Sequence, residues 1–258
     1  MCTATWMVTE DGGGYHFLFN RDESVLRQRA SPPSATVHAD GAESLAPTDT
    51  DAGGTWISVN THGVTVALLN RYQDQVTAVE PPDGWISRGR LVRAMASATD
   101  PSEVAERLNA QSDLRRWRPF TLLALAIGDG APTVLAFDWD GGQLKTAAET
   151  TPPRVSSGYD HEGAAIYRRA LWEEKLREAP AGPNLELLRA FHRSHRPDHG
   201  AYSPCMRRPE ARTVSLTEIE VRTDTVTMRY WDGPPCTTDR SSETTLRRPV
   251  AVVRPCAD

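Results

Sequence analysis

The sequence predicts an α+β fold of antiparallel sheets with helices packed outside them. Three observations predict it. Runs of β-forming residues come in pairs joined by glycine-bearing turns, the pattern of hairpins. The order of segments is strands, helices, strands, helices, strands, which a doubly wound parallel sheet would not give. No linker or internal repeat divides the 258 residues, so one domain spanning 1–258 has the length for a sizeable core.

The elements follow in order. Thr3 to Val8 and Tyr15 to Asn20 read as a hairpin about Asp11-Gly12-Gly13-Gly14. Residues 24–52, rich in Ser, Pro, Asp and Ala, lack periodicity and are expected to form a long surface loop rimming a site. Gly53-Gly54 opens a second strand pair, Thr55 to Asn60 and Val64 to Leu69, turning at Thr61-His62-Gly63 and ending at Asn70. A helix is expected over Ser87 to Ala98. Another starts at Asp100, with Pro101 at its first position and Glu103 three residues past the cap. Phe120 to Ile127 is an apolar strand, and Thr133 to Trp139 with Gln143 to Ala148 form a hairpin about Asp140-Gly141-Gly142. Helices over 162–178 and 184–194 precede strands at Arg212 to Val221, Thr225 to Trp231 and Val250 to Val253.

Bulk properties exclude several functions. The net charge is -5 with no basic block, so nucleic acid and anionic membranes have no electrostatic footprint. No apolar run approaches the roughly 18 residues of a membrane span, and no secretory signal is evident. A cytoplasmic protein with reduced thiols is expected. Cys2, Cys205, Cys236 and Cys256 show neither CxxC pairing nor zinc-like spacing; a Cys236–Cys256 bridge is the alternative. His192, His195 and His199 read as an exposed helix end and loop. Their spacing puts only the first two on one helical face, and Pro197 ends the helix before the third. No metal and no cofactor are assigned. Ser156-Ser157 lacks the flanks of a nucleophile elbow.

The chemistry concentrates at the N-terminus. Once Met1 is removed, Cys2 carries both a thiol nucleophile and a free α-amine, whose ordinary pKa of about 8 suits a general base. The hairpin brings Cys2 beside the end of the second strand, where Asn20-Arg21-Asp22-Glu23 stands. A guanidinium near the thiol favours the thiolate, and a carboxylate near the amine orients it. Asn70, ending its strand, reads equally as a turn residue or as an oxyanion donor. Trp56, after Gly53-Gly54-Thr55, reads first as a core side chain.

In this order, Cys2, Asn20-Arg21-Asp22-Glu23, Gly53-Gly54-Thr55-Trp56, Asn70, Ser87-Arg88-Gly89-Arg90-Leu91 and Arg212-Thr213 resemble the NRDE family, which includes the transport and Golgi organisation 2 proteins. The resemblance covers residues 2 to about 215. It implies a branch of the N-terminal nucleophile hydrolases: a four-layer αββα sandwich of two antiparallel sheets between helical layers. It implies cleavage of a linear amide in a small-molecule substrate, by likeness to bile-salt hydrolases and penicillin V acylases. Cys2 would be the nucleophile, Asp22 the carboxylate holding the amine, Arg21 the arginine near the thiol, Asn70 the oxyanion donor and Arg212 a late supporting arginine. Asn20, Trp56 and Ser157 are assigned to substrate contacts. Ser156-Ser157 stands where many family members have Ser-Asn, a departure from the acylase pattern. Two other readings stay open: a non-catalytic carrier of haem or a lipid-like ligand, and an amide-forming acyltransferase of secondary metabolism. The oligomeric state, monomer or homo-oligomer, is left open.

Overall fold

The structure, a computed structural model, describes residues 2–249 except 73, 75–77, 112, 129–130, 150 and 180–181. The expected strand Val250 to Val253 and Cys256 lie outside the described residues. One antiparallel sheet has the order β10-β1-β2-β11-β12-β13. Its strands are β1 (Cys2–Val8), β2 (Tyr15–Ser24), β10 (Arg154–Ser156), β11 (Ala211–Val221), β12 (Thr225–Trp231) and β13 (Ser242–Arg247). The second runs β3 to β9 in sequence order. It comprises β3 (Ser31–Val37), β4 (Glu43–Thr48), β5 (Ile57–Asn60), β6 (Thr65–Asn70), β7 (Phe120–Gly128), β8 (Ala131–Trp139) and β9 (Leu144–Ala148).

The sheets face one another across a core that includes Trp6, Phe17 and Phe19 from the first and Ile57, Leu69 and Leu123 from the second. Helices α1 (Gly89–Met95) and α2 (Pro101–Asn109) cover the outer face of the second sheet. There Leu91, Met95, Val104 and Leu108 pack with Val66, Leu122 and Phe137. Helices α3 (His161–Glu178) and α4 (Leu185–Arg193) cover the first, where Trp172, Leu188 and Phe191 meet Leu18, Leu216 and Trp231. The result is a four-layer α+β sandwich. Both faces of each central strand are covered, so Tyr15 to Phe19 and Leu122 to Ala126 are buried on both sides, the second as a continuous apolar run and the first interrupted only by His16.

The 24–52 segment is not the long loop its composition suggests; it contains β3 and β4. β3 is an edge strand, exposed along nearly its whole length, which is why it tolerates Pro32 and Pro33 and lacks an apolar alternation. The edge strands β10 and β13 carry as little hydrophobic signal. At α2, Asp100 accepts from the Ser102 and Glu103 amides. The Glu103 carboxylate takes the Thr99 N–H rather than that of Asp100.

Candidate active site

The antiparallel register of β1 and β2 sets Cys2 opposite Arg21 and Thr3 opposite Asn20. Side chains alternate across the sheet. Cys2, Ala4, Phe19 and Arg21 therefore share the face toward the second sheet. Thr3, Thr5, Leu18, Asn20 and Asp22 share the face toward α3 and α4. Arg21 and Asp22, adjacent in sequence, point to opposite sides of one strand.

On the inner face lies a cavity of about 360 Å³ lined by Cys2, Arg21, Trp56 and Asn70 among others. Arg21 lies over the Trp56 ring, 4.2 Å from its centre, and pairs with Glu23 at 3.1 Å and Asp49 at 3.2 Å. Asn70 donates from Nδ2 to the Tyr72 hydroxyl at 2.9 Å. Gly54 and Gly89 hold the wall together. A Cβ on Gly54 would come within 2.7 Å of the Gly89 backbone, and one on Gly89 within 2.8 Å of the Thr55 nitrogen. Two motifs far apart in sequence, around Gly54 and around Gly89, thus cross backbone to backbone with no room for a side chain.

On the helix side the Asp22 carboxylate accepts from Thr213 Oγ1 at 2.6 Å and faces the Arg168 guanidinium at 3.8 Å. Arg168 is fully buried and donates to Thr3 Oγ1 and to the Tyr202 and Ala201 carbonyls. Burial pushes the Asp22 carboxyl up, while Arg168 and the Thr213 hydroxyl pull it down. Burial also raises the Cys2 thiol, with the Asp22 charge adding to the rise and Arg21 opposing it. Burial thus works against the thiolate, and a base beside the thiol would offset it.

Three expected site residues lie apart from this cavity. Asn20 is buried on the helix side, where Nδ2 donates to the His192 and Pro204 carbonyls at 2.9 Å each; it fastens β2 to the end of α4. Arg212 lies exposed at its strand end opposite Glu23, because the next residue, Thr213, is the one that faces Asp22. Ser157 is buried and accepts from the Tyr159 N–H at 3.3 Å; it is not among the cavity-lining residues. His192 is buried, not at an exposed helix end, and bonds Thr5 Oγ1 through Nε2 at 2.8 Å.

The sequence features and the fold have a common explanation. The family of transport and Golgi organisation 2 proteins matches residues 1–150. The chain belongs to that family. No curated protein matches it in sequence. In fold it is similar to the C2A mutant of conjugated bile acid hydrolase from Clostridium perfringens, with a TM-score of 0.56 at 12% identity over 96% of this chain and 92% of that one. It is equally similar to the Caenorhabditis elegans N-acylethanolamine-hydrolyzing acid amidase ortholog, TM-score 0.56 and 12% identity over 96% of this chain and all (100%) of that one. At such identity the likeness shows the fold: the family member has the sandwich of N-terminal nucleophile hydrolases.

The residues missed from sequence are Arg168 and Arg88. Arg168 occupies the buried stripe of α3 with Ala164, Leu171 and Trp172, at spacings i, i+4, i+7 and i+8. An arginine inside an apolar stripe was the available signal. Arg88 lines the cavity and donates to the Pro119 carbonyl at 2.9 Å. Burial pushes its pKa down to about 10, with Tyr72 opposing and Arg118 adding. Among the described residues it forms no ion pair with a carboxylate. Nothing in its own segment announced that.

Proposed function

We propose that this family member is an N-terminal cysteine amidohydrolase. The observation that carries the reading is the division of β2. Arg21 stands with Cys2 and Asn70 around an open cavity, while the buried Asp22 lies one residue further along, past the Cys2 end of β1. After loss of Met1, the α-amine of Cys2 takes the thiol proton, and the thiolate attacks the amide carbonyl. The Asn70 amide stabilises the oxyanion, a donor of a kind that contributes about 3 kcal/mol. Collapse of the intermediate breaks the C–N bond, and the protonated α-amine passes its proton to the leaving amine. Water then hydrolyses the thioester and regenerates the thiol. Asp22, itself held by Thr213 and Arg168, orients the amine.

The substrate's chemistry is suggested by the wall. Arg88 and Arg118 line the cavity without a carboxylate partner among the described residues, which favours an amide bearing an anionic group. Six charged residues in the lining besides Asp22 argue against haem or a lipid-like cargo. Acyl transfer to an amine would use the same thioester. The test is amine release from a panel of acyl amides with and without a carboxylate. Wild type should release amine, and both Cys2→Ala and a form with a blocked N-terminus should be inert. Undiminished turnover by the blocked form would sink the mechanism. Turnover of the thioester by an added amine rather than water would shift the reading to synthesis.

A further inference from the structure

Outside the cavity, three metal-ligating side chains converge from two separate segments. A ring nitrogen of His195 and the sulfurs of Cys205 and Cys236 all lie within 4.8 Å of one another. Cys205 and Cys236 are free thiols, the first buried and the second half-buried. We propose that His195, Cys205 and Cys236 form a zinc site that clamps the 194–207 loop to the 232–238 turn behind Asp22. The proposal does not depend on the reaction at Cys2.

Local structure is built to hold these groups. The loop folds back on itself through Cys205 N–H to the Ser194 carbonyl at 3.0 Å, His199 N–H to His195 at 2.7 Å and Arg207 N–H to His199 at 2.6 Å. His199 is held at φ +64°, a left-handed conformation uncommon for a residue with a side chain, and its ring stacks on His195 with centres 3.7 Å apart. His195 Nδ1 lies 2.9 Å from the Cys205 carbonyl. A carbonyl only accepts, so Nδ1 carries the proton and Nε2 keeps its lone pair. That is the tautomer arrangement found in metal-binding histidines. A disulfide would use the two sulfurs and leave the imidazole without a part. Two thiolates and an imidazole suit zinc and leave one tetrahedral position for solvent. Binding displaces the two thiol protons, so affinity rises with pH.

The clamp bears on the scaffold beside Cys2 through two connections. Asn20 Nδ2 donates to the Pro204 carbonyl. Met206 N–H donates at 2.9 Å to Thr213 Oγ1, which donates in turn to Asp22. Cys205 lies between those two anchors. A cation there would stiffen the loop that supports the buried carboxylate.

The experiment uses the full chain, reduced and stripped of metal, titrated with zinc against a chromophoric chelator and separately with cobalt(II). Wild type should take up one equivalent of zinc, gain thermal stability on doing so, and show a thiolate-to-cobalt charge-transfer band. Cys236→Ser, half-exposed and conservative, and His195→Ala should each lose affinity by at least about 10-fold. Cys2→Ala should bind as wild type does. Substoichiometric uptake by reduced wild type would overturn the proposal. So would binding that survives both ligand variants. A mass lower by two hydrogens, tracing to a Cys205–Cys236 disulfide that forms in place of metal uptake, would replace it with a redox pair.

Discussion

The two faces of the sheet at Cys2 are built on opposite principles. On the helix side, Asp22, Thr213, Arg168 and Thr3 form a sealed polar cluster in which the side chains of both Arg168 and Asp22 are 0% exposed. On the inner side, Arg21, Trp56, Asn70 and Arg88 surround an open cavity, where Arg21 pairs with the half-buried carboxylates of Glu23 and Asp49 and Arg88 with none among the described residues. A buried ion pair costs desolvation and contributes little net stability, but losing one partner strands a charge. The sealed side therefore holds geometry at the expense of tolerance. The open side leaves its charges available to a ligand. Changes behind Cys2 should cost stability first, and changes in front of it should cost activity first.

That contrast can be broken in a definite order. Arg168→Leu leaves Asp22 buried without its cation and should destabilise the fold by about 3–5 kcal/mol, read from the denaturant midpoint. A loss under about 1 kcal/mol would mean that the cluster is not an electrostatic unit. Asn70→Ala should lower kcat about 100-fold, equivalent to about 3 kcal/mol, while leaving the melting temperature near wild type. Gly89→Ala forces a methyl against the Thr55 nitrogen across the cavity wall. It should cost about 1–3 kcal/mol, measured by thermal unfolding.

The pH dependence of stability offers a smaller signal from the sealed side. Burial, with Arg168 adding, pushes His192 down to about 3 from 6.5. The unfolded chain binds this proton below 6.5 and the folded chain does not, so stability should fall as pH drops from 6.5 toward 3. The slope from this residue is at most about 1.4 kcal/mol per pH unit, and His192→Gln should flatten it. On the open side, Arg88→Ala should raise KM about 10-fold for an anionic amide and leave a neutral one unchanged, a difference of about 1.4 kcal/mol. Equal effects on both substrates would remove Arg88 from anion recognition.

The same contrast explains what could be read from the sequence. The hairpin that pairs Cys2 with Arg21 is local, set by a short turn and two β-rich runs, and the register followed from it. The apolar segments that hold Leu18, Phe120 and Leu188 were legible as strands and helices, while the four-layer order came from the family resemblance. The edge strands β3 and β13 were not legible because an exposed edge imposes no hydrophobic period, and β10 because three residues are too few to show one. Arg168 and Thr213 reach Asp22 from elements 146 and 191 positions away, a distance only tertiary packing closes. Arg212 was the near miss: strand alternation sets it with Glu23, on the side of the sheet away from the Asp22 carboxylate, and gives its neighbour the contact with Asp22. The meeting of His195, Cys205 and Cys236 was likewise invisible, since no short spacing relates them.

The central claim is that Cys2, freed of Met1, is the acylated nucleophile. The most direct measurement is the intact mass of the purified chain before and after a brief reaction with an activated acyl donor, followed by mapping of the modified peptide. The account predicts a chain lacking Met1 that gains one acyl group on the peptide beginning at Cys2, and none in Cys2→Ala. A chain that keeps Met1, or an acyl group on Cys205 or Cys236 that persists in Cys2→Ala, would contradict it.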